Sequence, residues 1–328
     1  MIRLTGVELR RLMSRRLAVI GVAAVLIITA FLLFATWRDS RPLSAAEQQQ
    51  NQVYFEQAQK DWELHGEQYQ KDCEASYASA PEPKPALKDF CPGPPTIEQY
   101  GKPKNVFSEL MPTMLQGLSY LLVAMAFLIG ASFVGAEFSS GAIGNWLTFE
   151  PRRMRVYASK LTGAAIGLAP VAVVLTGILV LGTYLIIDKL GITAGTTGKV
   201  WGNLAETSGR VVLMTAVGAA IGGAVGLLLR HTAAAIGVVM AYVVLVEGVF
   251  GGFLTQVQPW LIRLNFDAFV LHGTSYYVEK CTTGQDGSYS CNSVEKHLSF
   301  EHGAWYLSIG AVIVIALGAL VFRRRDVN

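Results

Sequence analysis

Residues 134–161 read VGAEFSSGAIGNWLTFEPRRMRVYASKL. The stretch lies between two long apolar runs, Leu115–Ala136 and Leu161–Ile187, yet it carries Glu137, Glu150, Arg152, Arg153, Arg155 and Lys160. So many charges are costly in hydrocarbon. The chain is therefore expected to leave the bilayer here, run along its surface and re-enter. That makes the flanking runs membrane spans, since about 20 apolar residues suffice to cross a bilayer.

Composition agrees with this reading. The chain has 328 residues, 52% hydrophobic and 16% charged, with mean hydropathy +0.39; soluble domains carry about 25% charged residues. One polytopic membrane domain is expected rather than two soluble ones, and no nucleic-acid partner. The net charge of +3 matters less than where the charges fall.

Upstream, residues 1–16 combine Arg3, Arg10, Arg11, Arg15 and Arg16 with apolar residues at helical spacing. This predicts an amphipathic helix in the interface. A first span follows at 17–37, too long for a cleaved signal sequence. Residues 38–108 form a long polar loop. Ser44 and Glu47 make a capping box for a helix, in which Tyr54, Ala58, Trp62, His65 and Tyr69 share a face that is expected to pack. The proline-rich second half, from Pro81 to Pro95, reads as extended. The second span is 109–136.

Downstream of the quoted stretch (its charged part being 137–160) come a third span at 161–187 with Pro170 inside, a glycine-bearing loop at 188–210, a fourth span at 211–229 and a fifth at 233–254. The fourth is rich in small residues, including Gly218 and Gly222 at the spacing that lets membrane helices approach closely. A polar region at 255–302 precedes a sixth span at 303–322 and a basic tail at 323–328. The expected fold is thus an all-α membrane protein of six spans with an interface helix and a long, partly helical first loop.

Six spans place both ends on one side. Arginine is concentrated in residues 1–16, 137–160, 230–232 and 323–328, so the positive-inside rule puts these in the cytoplasm of a plasma-membrane protein. All four cysteines then fall outside, where disulfides persist. Four cysteines allow three connectivities; Cys73–Cys91 and Cys281–Cys291 are expected, because each pair shares one loop.

Chemistry is sparse. Gly195 to Lys199 resembles part of a phosphate loop, but Thr193 stands where the first glycine belongs and Val200 where a magnesium-binding hydroxyl belongs. No metalloprotease or hydrolase signature occurs. No enzyme, metal site or bound cofactor is expected of this chain. Glu247 is the one acid deep in a span, inside a glycine-broken segment. It is either a functional intramembrane group or a residue near the outer interface.

Placed between the second and third spans, the quoted stretch resembles the signature of type-2 ABC-transporter permeases. Gly135, Glu137, Gly141, Trp146, Leu147, Pro151, Arg152, Arg153, Arg155 and Lys160 occupy the signature positions, and residues 322–326, FRRRD, resemble the family's closing motif. The resemblance covers the whole chain in span order. It implies an exporter half in which Glu137, Phe138, Gly141, Trp146, Leu147, Pro151, Arg152, Arg153 and Arg155 dock onto a separate nucleotide-binding (ATPase) subunit. ATP and magnesium would reside in that partner. A second permease copy or homologue and membrane lipids complete the implied assembly, moving a drug, peptide, lipid or glycan. The competing readings are a non-transporting sensor or immunity protein and a secondary transporter; the second would depend on Glu247.

Overall fold

The computed structural model describes residues 2–80, 84–283 and 289–324. The chain opens with α1 (Ile2–Met13) and α2 (Arg16–Ser40), then α3 (Ala45–Ser79) and the single turn α4 (Leu87–Phe90). Next come α5 (Phe107–Ser139), α6 (Ala142–Phe149), α7 (Arg153–Leu190) and α8 (Gly198–Leu229). α9 (Thr232–Ala241) runs on as a π-helical segment (Tyr242–Phe250) and a last turn, α10 (Gly251–Phe253). α11 (Ile262–Leu271), the antiparallel strands β1 (Thr274–Thr283) and β2 (Tyr289–Leu298), and α12 (Phe300–Arg324) complete the described chain. The six helices long and apolar enough to span a membrane are α2, α5, α7, α8, α9 with its π-helical continuation, and α12.

The centre of the bundle is α5 against α8. Gly218, Gly222 and Gly226 on α8 face Val123, Phe127 and Ala131 on α5, and Gly130 faces Ala219. The paired numbers rise together, so the two helices run parallel. A Cβ at Gly226 would stand 2.4 Å from the Ala131 carbonyl oxygen, so the two backbones touch. In lipid, where apolar side chains gain nothing by leaving solvent, such close packing is what associates helices.

α1 lies across α7 by the same device. Leu12 is buried, and a Cβ at Gly167 would meet its side chain at 2.6 Å. Gly163 likewise leaves room for Glu8.

α3 is a 35-residue polar helix, about 52 Å long at 1.5 Å per residue. Its capping box is formed: the Ser44 hydroxyl accepts from the Glu47 N–H at 3.4 Å, and the Ser44 N–H donates back to Glu47 at 2.8 Å. The helix packs on its own return segment, through Asn51 to the Tyr100 carbonyl (2.7 Å), Phe55 on Tyr100, Tyr77 on Phe90, and the Cys73–Cys91 disulfide. This corrects the expected face. Ala58 and Trp62 are half-buried, but Tyr54, His65 and Tyr69 are exposed, because the disulfide pulls the return segment onto the neighbouring stripe. Pro81 and Pro83 lie outside the described residues.

Two further expectations change. Residues 198–210 are helical rather than loop, since Trp201 is anchored on Phe107 and Tyr184. The polar region at 255–302 holds α11 and a hairpin in which Cys281 lies opposite Cys291 and is bonded to it.

Candidate functional site: the junction of α1, α5, α6 and α7

With 33 residues, α5 is about 50 Å long and overruns a hydrocarbon core of about 30 Å. Its last turn, ending at Ser139, carries Glu137. The chain then reverses at Gly141, whose φ of 70° is left-handed and suits glycine. α6 follows, and α7 returns from Arg153.

The side chains converge on a buried ion cluster. Lys160 on α7 pairs with Glu137 and, at 2.9 Å, with Glu8 on α1. Arg11 reaches Glu137 at 3.2 Å and Glu8 at 3.9 Å, and Arg15 reaches Glu137 at 3.8 Å. Arg15 also donates to the Ser132 carbonyl at 2.8 Å. Two aromatic rings cover the cations. Arg11 and Lys160 stand 5.1 and 5.4 Å from the Trp146 ring, and Arg15 and Lys160 stand 5.1 and 5.4 Å from the Phe133 ring. Glu8, Glu137 and Lys160 are almost fully buried. Burial pushes the Arg15 guanidinium below its usual range, while Glu137 pulls the other way.

Taking an ion out of water costs several kcal/mol, offset only where partners are many and well placed. Here two carboxylates share three cations, so removing any one leaves a buried charge short of partners. The cluster fixes the position of α1 on α5 and α7 more than it adds net stability.

The predicted docking residues divide in two. Glu137 and Trp146 face this cluster. Phe138 is half-buried, edge-on to Phe322 at 6.0 Å, with Arg230 5.9 Å from its ring. Gly141 forms the turn, Pro151, Arg152 and Arg155 are exposed, and Arg153 is half-buried. The side chain of Leu147 lies outside the described ones. Glu8 was not among the sequence candidates. It is the lone acid of residues 1–16 on a helix studded with arginine, a signal that could have singled it out.

Glu247 lies far from this junction in the chain, in the π-helical segment. There it accepts from the Tyr242 hydroxyl at 2.8 Å and from the Arg263 backbone N–H at 3.1 Å. Among the described residues no group of acids, histidines or cysteines is placed to hold a metal.

An amphipathic first helix, six helices long and apolar enough to span a membrane and a charged reversal locked between the second and third define a polytopic membrane protein. Comparison with family models is specific: the model described as ABC-2 family transporter protein matches residues 8–327, and the chain belongs to that family. It is a transmembrane permease subunit of an ABC transporter, a multi-pass membrane protein that associates with an ATP-binding subunit. No curated protein and no solved structure matches the chain.

Proposed function

We propose that this permease works in an exporter, and that the nucleotide-binding subunit grips it at α6 and the segment Pro151–Arg155. The observation that carries this reading is the division of the charged reversal. Its inner residues are interlocked with α1 and α7, while Pro151, Arg152 and Arg155 stand exposed beside them. A push on the exposed part is thus passed to α5, α7 and α1 together.

ATP and magnesium act in the partner. Binding and hydrolysis there move the reversal, which rocks the spans and changes access to a path between two permeases. A second copy is supported by the packing: 6% of the fifth span is buried against 61% of the second. The junction and both termini face the cytoplasm, with the arm and hairpin outside, as the arginine distribution indicates.

The test is co-purification. Arg152→Glu with Arg155→Glu should abolish recovery of the nucleotide-binding subunit and its stimulated ATPase activity, while the permease keeps its thermal midpoint. Full recovery of the subunit would refute the assignment.

A further inference from the structure

A groove of about 310 Å³ opens on the flank of the bundle. α7 lines it from Tyr157 to Ala165, α8 adds Ala220 and α12 adds Ile315. Elsewhere in the bundle small residues let backbones touch, as at Gly226 and Ala131. Here Tyr157 stands between α7 and α12. Its side chain is buried, its hydroxyl donates to the Ile315 carbonyl at 2.7 Å, and a Cβ at Gly318 would meet that hydroxyl at 2.6 Å. The tyrosine is a strut that keeps the two helices a side chain apart. Ala158, Ala165 and Ala220 are too short to fill the space it opens.

The wall of the groove is apolar. Both hydroxyls in the lining are turned onto backbone carbonyls, Tyr157 onto Ile315 and Thr162 onto Ala158 at 2.7 Å. Such a wall suits hydrocarbon and offers little to orient a polar molecule. From Tyr157 to Ala165 the groove runs about 12 Å along the helix. That is most of one leaflet of a hydrocarbon core about 30 Å thick. Its rims are exposed and aliphatic, with Ile166 a turn past Thr162 and Val312 a turn before Ile315. Both rims belong to helices long and apolar enough to span a membrane, so the opening faces lipid.

Charge sits at one end alone. Exposed Arg155 is a turn before Ala158 on the same stripe of α7. The Tyr157 ring lies 6.2 Å from that of Phe322, and exposed Arg323 is the next residue. In the other direction α7 has no charged residue from Leu161 to Ile187, and α12 has none from Gly303 to Phe322. An apolar slot one leaflet deep with cations at a single end matches a lipid that carries a negative headgroup.

We propose that this groove seats one acyl chain of an acidic phospholipid, whose headgroup lies at Arg155 and Arg323. Arg155 is also assigned above to the segment that meets the nucleotide-binding subunit. The test therefore uses the full permease chain without that subunit, and its outcome leaves the docking assignment untouched.

The chain is purified in detergent, and phosphatidylglycerol and phosphatidylcholine of equal chain length are titrated in, with bound lipid counted by native mass spectrometry. One phosphatidylglycerol should bind about twentyfold more tightly than phosphatidylcholine, since each arginine near a headgroup is worth about fivefold. Arg323→Ala should weaken phosphatidylglycerol about fivefold and leave phosphatidylcholine as it is. Ala165→Phe, which fills the groove, should weaken both lipids about tenfold. Val174→Phe, at an exposed position farther along α7, should weaken neither. Equal affinity of the wild-type chain for the two lipids would overturn the headgroup assignment, and that comparison needs no variant to fold. Undiminished lipid binding by Ala165→Phe would overturn the groove. A switch of that variant from dimer to monomer, with lipid binding retained, would place a second copy there instead.

Discussion

The two ends of α5 are held by different physics. At the C-terminal end Glu137 is buried among Arg11, Arg15 and Lys160, with Glu8 sharing two of those cations and Trp146 over them. Toward the N-terminal end Gln116 and Tyr120 hold a single oxygen of Asp267. The first arrangement has no partial release: parting α1 from α7 strands ions in a dry site. The second combines those two hydrogen bonds with the Tyr120 ring resting on Phe266 at 5.1 Å.

The largest effect should follow from breaking the stiff end. Lys160→Met leaves Glu8 and Glu137 buried with fewer cations, and removing one partner of a buried pair costs about 3–5 kcal/mol. The thermal midpoint in detergent should fall sharply, and restoring Lys160 should restore it. A milder loss with Glu8→Gln and Glu137→Gln added would show that the stranded charge is the cause.

The α3 arm packs on its own return segment, and its disulfide closes a separation of 18 residues. Replacing Cys73 and Cys91 by serine removes a constraint worth about 3 kcal/mol for a loop of that size. The effect should stay local: proteolysis should cut the arm faster while the membrane core melts unchanged. Core unfolding at the same loss of stability would show that the arm braces the bundle.

Between the two ends lies the α5–α8 seam. Gly222→Leu sets a side chain against the Phe127 backbone, and such overpacking typically costs about 1–3 kcal/mol. Gly209→Leu, at an open position of the same helix, is the control and should leave the midpoint in place.

The smallest expected effect is one of pH on the arm. The Ser44 hydroxyl and N–H hold the Glu47 carboxyl below its ordinary value. A depressed folded-state pKa means the cap contributes fully above the unfolded value and is lost as pH falls through the folded one. The first turn of α3 should fray only at acid pH, read as faster amide exchange in residues 45–48. Ser44→Ala should fray at neutral pH as well.

Much of this architecture was legible in sequence. The spans follow from hydropathy, because a helix in lipid must be apolar along its length. Ser44 and Glu47 are three residues apart, so their cap is a local matter. Gly218 and Gly222 showed which face of α8 packs closely, because a missing side chain has few other uses there. The pairing of Glu8 with Lys160 was not legible: it depends on α1 folding back onto a helix 152 residues away. Trp146 read as a surface anchor because aromatic residues suit both interfaces and interiors; only the cations beneath it decide which. The packing face of α3 was missed by one residue, since the disulfide and the return segment choose the stripe. Glu247 needed the π-helical geometry and α11 before its partners could be named.

The charged reversal divides into a half locked to its own chain and an exposed half proposed to meet the nucleotide-binding subunit. Amide exchange across residues 137–160, measured with and without the nucleotide-binding subunit, tests it most directly. Residues 148–156 should become protected on complex formation, while the amides around Glu137 and Lys160 stay slow in both states. Unchanged exchange at 148–156, with protection appearing on another segment, would contradict it.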